Sequence, residues 1–159
     1  MSSTKQQVEQ IITLLKERGE TISVAESLTA GGLANMLTSA SGSSSVFIGG
    51  LTAYRNEIKS SMLDVNPKVI AEHTVVSEAV ANAMGDGARK AFGSTWAIAT
   101  TGVAGPEPLE GHAPGTVWVA IRGPHNQSIA LDLQGDRDQV RNGTISTAIA
   151  TFARILKAR

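Results

Sequence analysis

"TISVAESLTAGGLANML", residues 21–37, runs from β-branched residues through a turn of small residues into apolar residues at helical spacing. Ile22 and Val24 suit a strand, Ser27 to Gly32 a turn, and Leu33, Met36 and Leu37 one face of a helix. The unit is strand, loop, helix. Upstream, Val8, Ile11, Ile12 and Leu15 share a helical face over residues 3–18, with Ser3 and Gln6 placed for a capping box and Gly19 for a stop. Downstream, "SASGSSS" (39–45) reads as a connector and "VFIGGLTAY" (46–54) as a buried strand. A short helix then carries Asn56, Lys59 and Met62. Asn66 and Pro67 open another helical turn, and Ser77 caps a long Ala-rich helix ending near Phe92. "TWAIATTG" (95–102) is the next strand, followed by a Gly- and Pro-rich loop. "TVWVAIRG" and "SIALDLQ", split by "GPHNQ", read as a hairpin, and Val140, Ile145, Ile149, Phe152 and Ile155 mark a C-terminal helix with Gly143 near its start. Alternating strands and helices with one late hairpin predict an α/β fold: three layers, α/β/α, around a mixed sheet of about five strands.

The chain of 159 residues is read as one domain over 1–159, because one hydrophobic core serves this length. Fourteen Lys and Arg balance fourteen Asp and Glu, so no global field draws in nucleic acid or an anionic membrane. The absence of cysteine excludes disulfides, thiol catalysis and thiolate metal sites. No two of His73, His112 and His125 have metal-ligand spacing, so neither a metal nor another cofactor is expected. The polar start "MSSTKQQVEQ" lacks the apolar core of a signal peptide, and no stretch approaches the roughly 18 apolar residues of a membrane span. These features predict a cytoplasmic protein with no nucleic-acid or membrane partner; a homo-oligomer is compatible with them.

In an open α/β sheet, ligands bind beyond the carboxyl ends of the strands, which puts Ser27 and the loop after Thr101 on one rim. Ser27, just past a strand and before a Gly-bearing helix start, could sit beside helix-start amides as a nucleophile. The same placement suits a phosphate cradle, or a serine that merely satisfies turn donors. "AESLTAGG" is neither a G-x-S-x-G elbow nor a P-loop. A nucleophilic serine needs a base; the histidines read as solvated, whereas a desolvated lysine can serve. Lys59 lies one helix and one strand beyond Ser27, enough to return it to the same rim, although a solvated helix face is the ordinary explanation of a lysine so placed. Tyr54, the only tyrosine, ends a strand and could position a proton or pack at the rim. Arg137 and Arg141 share a helix face near its N-terminus, where they could hold phosphate or carboxylate or pair with Asp136 and Asp138. Thr101 and Gly102 lead the loop "TTGVAGP", whose glycines would admit a ligand close to backbone.

Taken in order, "AESLTAGG", "TAYRNEIKSSMLDV", "VVSEAVANAMGDGAR", "ATTGVAGP", "PGTVWVAI" and "GDRDQVR" resemble the CinA C-terminal domain family of nicotinamide mononucleotide amidohydrolases, over nearly the whole chain. The resemblance implies a three-layer fold with one antiparallel strand. It also implies metal-free hydrolysis of the nicotinamide mononucleotide carboxamide to nicotinic acid mononucleotide and ammonia, in pyridine-nucleotide salvage. Carried over by motif, Ser27 would be nucleophile and Lys59 general base, with Tyr54 assisting. Thr29, Gly31, Thr101, Gly102, Arg137 and Arg141 would bind substrate. The loop before "GTV" reads His112, Ala113, Pro114, Gly115, where the family often has Lys-Pro-Val-Gly, and Ala30 stands at a frequent glycine. A non-catalytic nucleotide-binding module of the same family is the alternative.

Overall fold

The computed structural model describes residues 2–159. Its elements are α1 (Thr4–Arg18), β1 (Ile22–Glu26), α2 (Gly32–Leu37), a 3-10 turn (Ser43–Ser45), β2 (Phe47–Thr52), α3 (Asn56–Leu63), α4 (Pro67–His73), α5 (Glu78–Phe92), β3 (Trp96–Gly102), β4 (Thr116–Arg122), β5 (Gln127–Asp132) and α6 (Arg137–Lys157). The strands form one sheet in the order β2-β1-β3-β4-β5. β1 pairs in parallel with β2 and β3, while β4 is antiparallel to both β3 and β5. A mixed sheet with one reversed strand is therefore what the chain builds, as its sequence predicts.

The helix ends follow their local chemistry. Ser3 and Gln6 close a reciprocal capping box at α1, Gly19 ends that helix left-handed, and Asp136 with Gln139 repeats the box at α6. Asn66 and Ser77 cap α4 and α5. Gly143 lies inside an unbroken α6, and the bare Cα lets Leu133 pack against the helix.

The two sheet faces differ in side-chain size. Along β3, Trp96 and Ile98 point into a core built with α1, α2 and α6, whereas Ala97 and Ala99 point toward α3 and α5. Ile22, Val24, Val117, Val119 and Ile121 join the first core, where Trp96 meets Phe152 edge-on at 5.2 Å between ring centroids. Ala25, Ala97, Ala99 and Ala120 make the second face shallow, so α5 lies close, and its own small residues follow from that. A Cβ on Gly87 would fall on the Leu63 carbonyl, which fixes the closeness of α5 to the end of α3.

One strand departs from its reading. β2, expected to be buried, is the sheet edge: Ile48 is 49% exposed and every second residue faces out. An apolar run bounded by turns does not distinguish an edge strand with two glycines from a central one. Among the described residues no helix is long and apolar enough to cross a membrane.

Candidate active site

The parallel register of β1 and β3 sets Glu26 opposite Thr100 and ends both strands at one rim. Ser27 is the first residue past β1, held by its amide donating to the Thr100 carbonyl at 3.0 Å. Its neighbour Glu26, 1% exposed, accepts from the amides of Leu33 at 2.8 Å and Ala34 at 3.1 Å. The helix-start donors that the sequence offered to an oxyanion or a phosphate are thus taken by the protein's own carboxylate. Ser27 does not cap that helix either. The turn between them passes through left-handed Ala30 (φ 47°) and Gly31 (φ 93°), a conformation that costs the alanine about 1 kcal/mol.

The Ser27 hydroxyl instead meets Lys59. Thirty-two positions apart in sequence, Lys59 Nζ and Ser27 Oγ lie 3.0 Å apart. Lys59 projects from α3 into the protein and is 1% exposed, so the solvated-face reading of this lysine does not hold. Its Nζ also donates to the carbonyls of Ala53 at 2.8 Å and Tyr54 at 3.0 Å. A neutral amine has two N–H bonds and one lone pair, and carbonyls only accept. As an ammonium, Lys59 donates to both carbonyls and to Ser27 Oγ; on losing one proton it can keep its two N–H groups on the carbonyls and turn the lone pair to the serine O–H. Burial pushes the Lys59 pKa down from 10.5 to about 8, with the carboxylate of Glu110 pulling in the opposite direction. The unprotonated amine is therefore accessible near neutral pH.

Ser27, Leu28, Tyr54, Gly102 to Glu110 and Arg137 border a cleft of about 570 Å³, large enough for a small ligand. Arg137, the first residue of α6, reaches across it, donating to the Gly105 carbonyl at 2.7 Å and to the Tyr54 hydroxyl at 3.1 Å. Arg141 donates through Nε to the Leu28 carbonyl at 3.1 Å, which steadies the residue after Ser27. Neither arginine forms an ion pair with Asp136 or Asp138 among the described residues.

Several residues expected to touch substrate are placed elsewhere. Thr29 is buried and shares a 2.8 Å hydrogen bond with the Thr100 hydroxyl. Thr101 is 1% exposed, belongs to β3 rather than the loop, and donates to the Val75 carbonyl at 2.8 Å. Neither threonine nor Gly31 nor Arg141 lines the cleft; they brace the segments that do. Gly102 does line it, yet a Cβ there would approach the Thr116 carbonyl at 2.8 Å, so strand pairing already requires the glycine. Of the histidines, His112 shares a 2.8 Å hydrogen bond with the Thr74 hydroxyl, and none contacts Ser27. Among the described residues no group of three His, Cys, Asp or Glu side chains could hold a metal.

Sequence reasoning passed over Glu26 and Glu110. An acid beside the candidate serine and before a Gly-Gly helix start was a usable signal for Glu26. Glu110 gave none, because its partner is a backbone amide 35 residues away.

A mixed α/β sheet that presents a buried lysine to a rim serine is the architecture of a small α/β domain with a serine–lysine pair. The family model of the CinA C-terminal domain matches residues 4–156, and the chain belongs to that family. A CinA-like protein of Synechocystis sp. is 48% identical over 126 residues, which is 78% of this chain and 30% of the relative. One from Parasynechococcus marenigrum is 40% identical over 153 residues, 94% of this chain and 36% of the relative. The chain spans about a third of the length of these curated relatives. A competence-damaged protein (CinA) superfamily protein from Klebsiella pneumoniae superposes with a TM-score of 0.94 at 29% identity, covering 99% of this chain and 100% of that one. The competence/damage inducible protein CihA from Agrobacterium tumefaciens gives 0.90 at 30% identity, with 99% of both chains covered.

Proposed function

We propose that this chain hydrolyses the carboxamide of nicotinamide mononucleotide to nicotinic acid mononucleotide and ammonia, with Ser27 as nucleophile and Lys59 as general base. The observation that carries the reading is the 3.0 Å approach of a buried, pKa-depressed lysine to a serine hydroxyl at the mouth of a cleft. Ser27 Oγ attacks the amide carbon while its proton passes to the Lys59 lone pair. Lys59 returns that proton to the departing nitrogen, which leaves as ammonia as the C–N bond breaks. Water then attacks the acyl-serine ester, gives a proton to Lys59, and releases the carboxylic acid as Lys59 reprotonates Ser27. Two easier steps replace one difficult amide cleavage. The Tyr54 hydroxyl and Arg137 guanidinium, joined to each other at the rim, supply the donors for an anionic or polar substrate group. Catalysis needs no metal or cofactor in this scheme, and pyridine-nucleotide salvage is where such a product belongs.

Ammonia release from the nucleotide by purified protein tests the reading. Wild type is expected to turn over, and Ser27→Ala and Lys59→Ala to lose at least about a thousandfold in kcat/KM. Full activity in both variants contradicts the mechanism. Tight nucleotide binding by calorimetry with no deamidation favours a binding module instead.

A further inference from the structure

We infer that the backbone N–H of Leu28 is the oxyanion donor of the site, the group that meets the charge formed when Ser27 attacks a carbonyl. The inference rests on the serine–lysine reading above and supplies a part that scheme lacks. As the Oγ–C bond forms, the carbonyl π electrons move onto its oxygen. They return when the tetrahedral intermediate collapses and the C–N bond breaks. Such an oxyanion needs a donor already in place, and one donor is worth about a hundredfold or more in rate.

Most donors around Ser27 are committed. The Ser27 amide is on the Thr100 carbonyl at 3.0 Å, and the amides of Leu33 and Ala34 are on the Glu26 carboxylate. Arg137 spans Gly105 and Tyr54, and Arg141 donates through Nε to the Leu28 carbonyl. The Leu28 amide is different. Among the described residues it donates to no protein acceptor, although the residue is only 3% exposed. A buried backbone N–H without a partner is rare in a folded protein. Leu28 borders the cleft together with Ser27, so the cleft is where its partner arrives. The Thr29 and Gly31 amides are also free, but neither residue lines the cleft. Ala104 and Gly105, on the facing loop, carry the competing donors.

The turn after β1 aims the Leu28 N–H. In a trans peptide the C=O and the following N–H point in opposite directions. The Ser27 carbonyl accepts from the Ala30 amide at 3.1 Å, so it faces into the turn and the Leu28 N–H faces out of it. That closure goes with the left-handed Ala30 at φ 47°. On the other side, the 3.1 Å contact from Arg141 fixes the Leu28–Thr29 peptide, and the Thr29 hydroxyl is tied to that of Thr100 at 2.8 Å. Both peptides that flank Leu28 are therefore held before any substrate arrives. The N–H belongs to the peptide bond that Ser27 itself begins, so an oxygen on the carbon bonded to Oγ comes within its reach. Serine hydrolases built on a G-x-S-x-G elbow place an oxyanion donor at the same position relative to the nucleophile. Here the Ala30–Gly31 turn does so without that motif.

The test reads this one amide. Leu28 is the only leucine preceded by serine, so full chain labelled with 13C′-serine and 15N-leucine gives a single amide-to-carbonyl cross-peak. The probe is methylboronic acid, which has no aromatic ring to disturb nearby protons. Its boron accepts the Ser27 oxygen while the serine proton passes to Lys59, and the tetrahedral anion puts a boron-bound oxygen where the oxyanion would sit. The adduct is read from the 11B resonance and from the loss of that signal in Ser27→Ala. With the adduct formed, the Leu28 amide proton is expected to move downfield by about 1 ppm, because a hydrogen bond to a charged acceptor is short and strong. An adduct on Ser27 with the Leu28 proton unmoved or moved upfield overturns the inference, passes the role to the facing loop, and leaves the serine–lysine reading standing. No adduct at saturating probe removes the nucleophile and overturns both. A wild type that forms the adduct and shifts Leu28 but releases no ammonia from nicotinamide mononucleotide would count only against the proposed substrate.

Discussion

Replacing Lys59 by methionine should change how stability depends on pH, in a direction set by the burial of the amine. The folded protein holds Lys59 at about 8 against an ordinary 10.5. Below pH 8 the lysine is charged in both folded and unfolded chains, and the fold carries the whole cost of burying the ammonium. Between about 8 and 10.5 the folded chain gives up this proton while the unfolded chain keeps it, so the cost fades; above that range the group contributes nothing. The difference of about 2.5 units corresponds to roughly 3 kcal/mol. Methionine fills similar space without a titrating group but leaves the Ala53 and Tyr54 carbonyls without their donor, a penalty that does not vary with pH. The wild-type unfolding free energy minus that of Lys59→Met should therefore climb by roughly 3 kcal/mol between pH 7.5 and 10.5 in urea titrations. Taking the difference removes contributions common to the two proteins. A flat difference would mean that Lys59 titrates alike in both states, and the argument for a neutral base near pH 7 would fail.

The rate of amide hydrolysis, kcat/KM, should rise about tenfold per pH unit below the Lys59 midpoint near 8 and level above it; a profile flat from pH 6 to 9 would exclude the lysine as base. Gly87→Ala places a methyl on the Leu63 carbonyl and should lower stability by about 2–3 kcal/mol despite the better helix propensity of alanine, measurable by thermal unfolding. Glu26→Ala strips the amides of Leu33 and Ala34 of their acceptor in a buried site and should cost about 2–4 kcal/mol; a change below 0.5 kcal/mol would show that solvent replaces the carboxylate. Arg137→Met removes the bridge between Gly105 and Tyr54 and should raise KM about tenfold or more, with a smaller effect on kcat.

Most of the scaffold was legible because its signals are local. Ser3 with Gln6, Asn66 before Pro67, and Ser77 each announced a helix start, and "TWAIATTG" before a Gly- and Pro-rich loop marked β3. The edge position of β2 was not, since neighbours in a sheet are set by long-range pairing that an apolar run does not encode. At the site, residue type and the return of the chain to one rim made Lys59 a candidate partner of Ser27, and the family resemblance singled out the pair, which the structure brings to 3.0 Å. Thr29 and Thr101 are polar residues in glycine-bearing motifs, a pattern that reads as ligand contact and carries no sign of a structural partner. Both hydroxyls are instead spent on the Thr100 side chain and the Val75 carbonyl, which hold the strand ends. Backbone partners such as the carbonyls that orient Lys59 have no letter in the sequence.

The most direct test of the serine–lysine account is to quench the reaction with nicotinamide mononucleotide in acid during turnover, digest the protein, and weigh the peptide that contains Ser27. The account predicts an acyl ester of the nucleotide on Ser27, absent in Ser27→Ala, whose turnover is lost. Steady turnover with Ser27 unmodified at every quench time, together with an active Ser27→Ala variant, would contradict it.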